Sequence, residues 1–139
     1  MAGFTFAYRL GGGQPTIQRP YFASSITITK GDIVSLESGL ADLGATDDAT
    51  LAGVALETVV GTTAKDIAII TDADAVYSVT DAYARLNGAL LDISGTTGAM
   101  GVTTNSSHDV QVVADSSATE PTLVKILEGS HYLTVTKVA

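Results

Sequence analysis

The sequence predicts a mainly β protein: a small β-sandwich or barrel body with an extended N-terminal arm and at most one short helix. Three observations predict it. Short stretches rich in Val, Ile and Thr recur with turn signals between them about every 8–12 residues, the spacing of a sandwich or small barrel. The chain has 139 residues, is 45% hydrophobic and 16% charged, and contains 14 Gly and 3 Pro, which is the make-up of one globular domain. The third observation is an uneven distribution of charge and aromatic residues, which sets residues 1–24 apart from a body at 25–139.

Taken in order, residues 25–29 (SITIT) alternate Ile26 and Ile28 with polar partners, as a half-buried strand does. Lys30-Gly31-Asp32 is a turn signal and IVSL (33–36) resumes the apolar run, so a hairpin or bent strand is expected. LAGVALETVV (51–60) has helix formers, but Gly53, Val59, Val60 and Gly61 favour a strand. KDIAIIT (65–71) is Ile-rich and strand-like, and AVYSVT (75–80) alternates as an exposed or edge strand would. TDAYARLNG (80–88) is the single helix candidate, with Thr80 or Asp81 as N-cap and Gly88 as stop. SGTTGAMGVTTNSS (94–107) reads as a long surface loop, followed by strands at DVQVVAD (109–115) and TLVKILE (122–128). HYLTVTKV (131–138) closes the chain as a strand with Leu133 and Val135 on one face. The absence of Trp requires a core of small side chains, so oligomerisation or a partner is expected to add stability.

Seven Lys and Arg against fifteen Asp and Glu give a formal charge of -8. A field of that sign argues against nucleic acid and anionic membranes as partners. Without Cys there are no disulfides, thiolate metal sites or cysteine nucleophiles. The N-terminus does not read as a targeting signal and no apolar run reaches spanning length, so a soluble chain made in the cytoplasm is expected.

Catalytic motifs fail on inspection. His108 and Asp109 beside Ser106 and Ser107 lack a nucleophile elbow. Asp72, Asp74 and Asp81 begin like a calcium loop, but Val76 and Tyr77 occupy the fifth and sixth positions, where a ligand and glycine belong. Gly11-Gly12-Gly13 has no following Lys-Ser/Thr and reads as a hinge, and Asn105-Ser106-Ser107 is a chance match to a glycosylation acceptor. Two histidines, His108 and His131, are too few for a typical His-based metal site. No enzyme, metal or cofactor is expected.

The arm carries the functional expectation. Residues 1–31 hold Arg9, Arg19 and Lys30 and no acid, whereas residues 32–139 hold all fifteen acids and four basic residues. Five of the eight aromatics, Phe4, Phe6, Tyr8, Tyr21 and Phe22, also lie in the first 22 residues. Aromatics and Arg dominate interface hot spots, so Phe4, Phe6, Tyr8, Arg9, Arg19, Tyr21 and Phe22 are the candidate partner-binding residues. Fully extended, such a segment reaches roughly 70 Å. The competing reading makes FTFAY (4–8) the first strand of the body, with Phe4, Phe6 and Tyr8 on one face; the two readings are compatible if that strand adds to a neighbour's sheet.

KGDIVSLESG (30–39) and TLAGVALETVVGTTAKDIAIITDADAVYSV (50–79) resemble the small capsid decoration, or cement, proteins of tailed bacteriophages. The resemblance rests on Gly31-Asp32-Ile33-Val34, Ala52-Gly53-Val54-Ala55 and Ile67-Ala68-Ile69-Ile70, with NGALLDISGTTGAMGV (87–102), DVQVVAD and TLVKILE similar to the second half of marine-phage members. It covers about residues 25–128. It implies a β-tulip-like body on the exterior of the virion capsid, often a homotrimer, stapling neighbouring subunits of the major capsid protein. It implies no catalytic residues. A basic, aromatic arm then grips an acidic shell while the acidic body faces solvent. The other classes kept open are a tail-tube or fibre-associated virion domain, and a displayed carbohydrate- or cell-surface-binding module using the 94–107 loop.

Overall fold

The computed structural model describes residues 3–45, 50–104, 108–127 and 130–132. Among them every regular element is a strand, and all strand pairings are antiparallel. The protein is therefore all-β, as its sequence predicts.

The largest sheet has six strands: β1 (Phe4–Arg9), β9 (Ala75–Val79), β13 (Thr122–Ile126), β12 (Val110–Val112), β10 (Leu90–Ser94) and β11 (Gly101–Thr103), in that spatial order. A three-stranded sheet places β4 (Ile33–Glu37) between β5 (Leu40–Leu43) and β6 (Leu51–Val54). Two short ribbons complete the fold: β2 (Ile17–Gln18) on β8 (Ile69–Ile70), and β3 (Thr27–Ile28) on β7 (Val59–Val60).

Two apolar cores follow from side-chain alternation. Ile33 of β4 joins Phe4, Leu51, Val54, Ile70, Tyr77 and the inward residues of the large sheet. The next residue, Val34, and then Leu36 point the other way, into a core with Phe22, Ile28, Ala52, Ala55, Ile67 and Ile69. Both faces of the three-stranded sheet are thus covered, which explains why Ile33, Val34 and Leu36 are all apolar instead of alternating strictly with polar residues, only the buried Ser35 interrupting them. Close approach replaces bulk at two glycines. A Cβ on Gly53 would collide with the Ile70 carbonyl oxygen, and one on Gly61 would enter the Phe22 ring.

Four expectations are corrected. The turn at Lys30-Gly31-Asp32 forms, but its flanking strands do not make a hairpin: β3 pairs with β7, while β4 pairs with β5 and β6. The buried Asp32 carboxylate accounts for this, accepting bonds from Thr29 N (2.9 Å), Thr97 Oγ1 (2.7 Å) and Gly98 N (2.9 Å) and tying the turn to the start of the Gly/Thr-rich loop. That loop also contains a strand, β11. Residues 75–80 are no edge strand, because β1 and β13 flank β9 on both sides and Tyr77 is buried. Burial, with the Asp72 charge, raises the Tyr77 phenol above its ordinary pKa.

The segment 80–88 forms no helix. Arg85 instead exchanges backbone bonds with Ser116 (3.1 and 2.9 Å), and its guanidinium bonds the buried Asp81 carboxylate (Nε to Oδ2, 2.5 Å). An ion pair at helical spacing is here made by a loop held to the connection between β12 and β13, so a tertiary contact overrides local propensity. The expected strand at 131–138 lies outside the described residues beyond Tyr132, as do Ser106 and Ser107.

Candidate functional site

The N-terminal segment is extended chain, as expected, but it lies along the body rather than reaching away from it. After β1 pairs with β9, residues 10–22 run antiparallel to residues 65–74. Leu10 N donates to Asp74 O (3.0 Å), Thr71 N to Thr16 O (3.1 Å), Ile67 N to Pro20 O (3.1 Å) and Phe22 N to Lys65 O (3.0 Å), with the β2–β8 ribbon between. The result is a strap with an inner and an outer face.

The seven candidate residues separate accordingly. Phe4 and Phe22 are 2% and 1% exposed and belong to the two cores, so their side chains are packed inside the body and not presented on its surface. Full burial of a phenylalanine stabilises by about 1.5–3 kcal/mol, which no exposed arm recovers. Phe6 is half-buried, edge-on to Tyr77 with ring centroids 6.4 Å apart. The register then shifts at a bulge between Phe6 and Tyr8. That extra residue breaks the alternation expected of FTFAY and leaves Tyr8 42% exposed. Tyr21 is 55% exposed.

The arm's charges are matched within the molecule. Arg9 Nε donates to Asp74 Oδ1 (2.9 Å), with Asp72 Oδ1 at 3.7 Å, and Arg9 Nη1 reaches Gln14 O (3.2 Å). Gly11 N bonds Asp74 Oδ2 (3.0 Å) and Thr16 N bonds Asp72 Oδ2 (2.5 Å). The Arg9 hydrogen bond, aided by the Gly11 amide, holds the Asp74 carboxyl below its ordinary pKa. Arg19 Nη2 is shared by Glu57 Oε2 and Asp66 Oδ1, each at 3.2 Å. Hydrogen bonding to Asp66 and the two nearby carboxylates raise the Arg19 pKa. The basic arm and acidic body are therefore complementary to each other. Of the three cations in residues 1–31 only Lys30 has no ion-pair partner among the described residues.

Two surface depressions adjoin this segment. The first, about 450 Å³ and mainly apolar, is bounded by Gly3–Phe6, Lys30-Gly31 and Val54–Leu56. It borders the free edge of β1. Phe4 N donates outward to Gly31 O (2.8 Å), so antiparallel alternation has Thr5 exchanging bonds with Ser78 and leaves the Phe6 N–H and C=O facing away from β9. The second, about 380 Å³, lies between Arg19, Tyr21, Val59, Lys65, Asp66 and Glu57.

Lys30 and Leu56 at the first site, and Glu57, Lys65 and Asp66 at the second, were not singled out from the sequence as site residues. Their membership depends on pairings across the fold; the one local signal was the Lys30-Gly31 turn. Another exposed pair, Tyr83 and Leu86 at 66% and 74%, stands on the 80–89 loop.

Among the described residues no group of three or more His, Asp or Glu is arranged to hold a metal ion. Asp72 and Asp74, which open the calcium-like sequence, bond Arg9 and backbone amides of the strap. His108 N donates to Asp92 Oδ1, a structural bond in the turn before β12. No protein-family model matches the chain, and no curated protein matches it.

Proposed function

We propose that this protein is a structural, non-enzymatic virion component that binds the exterior of an assembled phage capsid, staples neighbouring major capsid subunits and acts as a homotrimer. The observation that carries the reading is the outer edge of β1, open at Phe6, beside a largely apolar groove. An exposed sheet edge is a template for strand addition, in which backbone bonds supply affinity and neighbouring pockets take alternate side chains. An extended segment of the major capsid protein fits this chemistry, with Phe6 offering its N–H and C=O, Leu56 lining the groove and Lys30 at the rim. Exposed Tyr8 and Leu10 prolong the contact beyond the bulge. The resemblance of residues 30–39 and 50–79 to decoration proteins supports the same reading.

The reading differs from a charged arm in one respect. With Arg9 and Arg19 paired to the protein's own acids, attachment depends on strand addition and apolar contact more than on electrostatics. Binding only the assembled shell then stabilises it by mass action.

Adding purified protein to expanded capsids tests the proposal. The expected result is saturable occupancy at three-fold positions and a raised capsid melting temperature. A Tyr8→Ser/Leu10→Ser variant, altered only at exposed side chains, is expected to lose about tenfold or more in affinity. Failure of the wild-type protein to bind expanded capsids refutes the function, and full occupancy by the variant refutes the surface.

A further inference from the structure

We infer that the cleft between Arg19-Tyr21 and residues 57–66 is a binding site for a neutral saccharide. The proposal is independent of capsid attachment, which uses the β1 edge.

Three features of the cleft converge on that ligand class. First, Tyr21 presents an aromatic side chain that is 55% exposed, on a backbone anchored to the body. Its carbonyl accepts Ala41 N (2.8 Å), it bridges Asp66, and the next residue, Phe22, is locked in the core. Such a ring stacks on the apolar face of a pyranose at little entropic cost.

Second, the polar groups form an array of donors and acceptors at the rim of the cleft. Arg19 Nη2 is clamped between Glu57 and Asp66, and Glu57 Oε2 also accepts Ala68 N (3.1 Å). This arrangement leaves Glu57 Oε1, Asp66 Oδ2, the Lys65 ammonium and the Tyr21 hydroxyl without partners among the described residues. Carboxylate oxygens accept, and ammonium and guanidinium donate, which matches hydroxyl groups that do both. Third, the two cations and two carboxylates cancel, so the cleft does not favour an anion or a free cation.

The volume of about 380 Å³ lies at the small end of ligand clefts, roughly 300–1,000 Å³, and suits one or two sugar rings. The 94–107 loop, the sugar contact expected from the sequence, has no aromatic residue, and its Thr97 and Gly98 are bonded to Asp32.

The test is an amide-resolved NMR titration of the full chain, free of capsids, with D-galactose, D-glucose and N-acetyl-D-glucosamine, and with D-glucuronate and inorganic phosphate for charge comparison. Saturable shifts with a millimolar dissociation constant are expected from at least one neutral sugar, centred on Arg19, Tyr21, Val59, Lys65 and Asp66. Tyr21→Ala is expected to weaken binding about tenfold or more and Tyr21→Phe, which keeps the ring, by less, whereas the remote Tyr83→Ala retains it. The proposal is overturned if no neutral sugar gives saturable shifts at tens of millimolar. It is equally overturned if binding survives Tyr21→Ala, or if phosphate or glucuronate binds in preference. Capsid binding by wild type and Tyr21→Ala separates the two proposals, since loss of the sugar site leaves attachment intact.

Discussion

The N-terminal strap and the 80–89 loop use the same residue types, an Arg–Asp pair beside exposed aromatics, and are held by different forces. The strap's ion pairs are open to water: the side chains of Arg9 and Asp74 are 29% and 32% exposed, and Arg19 is 53% exposed. Screening and side-chain entropy leave such pairs with little net effect. What holds the strap is Phe4 and Phe22 in the two cores, together with its ladder of backbone bonds. In the loop, the Arg85 and Asp81 side chains are only 11% and 4% exposed, Thr122 shares the carboxylate, and Tyr83 lies against the guanidinium at 5.1 Å. There, each charge requires the other. The lesson is that an Arg–Asp pair anchors chain where water is excluded and merely decorates it where water is not.

That contrast is broken most severely through the strap's apolar anchors. Phe22→Ala is expected to cost about 3–5 kcal/mol, because Gly61 supplies no atoms to refill the space; urea unfolding measures it. Removing residues 1–24 is expected to leave no folded body, and a truncated chain with a native spectrum would contradict this. Next comes Arg85→Ala, expected to cost about 3 kcal/mol by stranding a buried carboxylate. The Asp81→Ala/Arg85→Ala double variant is expected to be less destabilised than Arg85→Ala alone, the signature of an obligatory pair.

A smaller, pH-dependent effect comes from His131, whose pKa burial depresses below 6.5. Asp72 opposes that shift and Lys125 adds to it. A depressed histidine pKa means that the unfolded chain binds the extra proton first. The stabilisation is therefore complete above pH 6.5 and lost as pH falls toward the folded-state value. His131→Gln is expected to flatten that limb of a stability–pH curve. The smallest effect is that of Arg19→Ala, whose unfolding midpoint is expected to stay within error of wild type at physiological salt.

The sequence showed strands at 33–36, 109–115 and 122–128, where Val and Ile cluster; the single strand expected at 51–60 divides into β6 and β7 in different sheets, and of 65–71 only Ile69 and Ile70 form a strand. It did not show β10, nor β11 inside the expected loop, nor β2 and β5, whose short stretches carry no alternation of their own and form only on a partner. The 80–88 segment looks helical locally because Thr80 or Asp81 can cap it and Gly88 can stop it, and Ser116, remote in sequence, decides otherwise. The candidate site was half legible. Composition marked the first 22 residues correctly as aromatic and basic. Whether each aromatic turned inward depended on space left by Gly61 and on a bulge after Phe6, neither of which local pattern contains. The charge asymmetry likewise proved to describe how the chain fits itself.

The central claim is that the first 22 residues are part of the folded body before any partner binds. Native-state hydrogen exchange on the free protein tests it most directly, through the amides of Leu10 and Phe22, which donate to Asp74 O and Lys65 O. The account predicts protection of Phe22 close to that of β9 and clear protection of Leu10. Exchange of both amides at unprotected-chain rates, with β9 still protected, would contradict it.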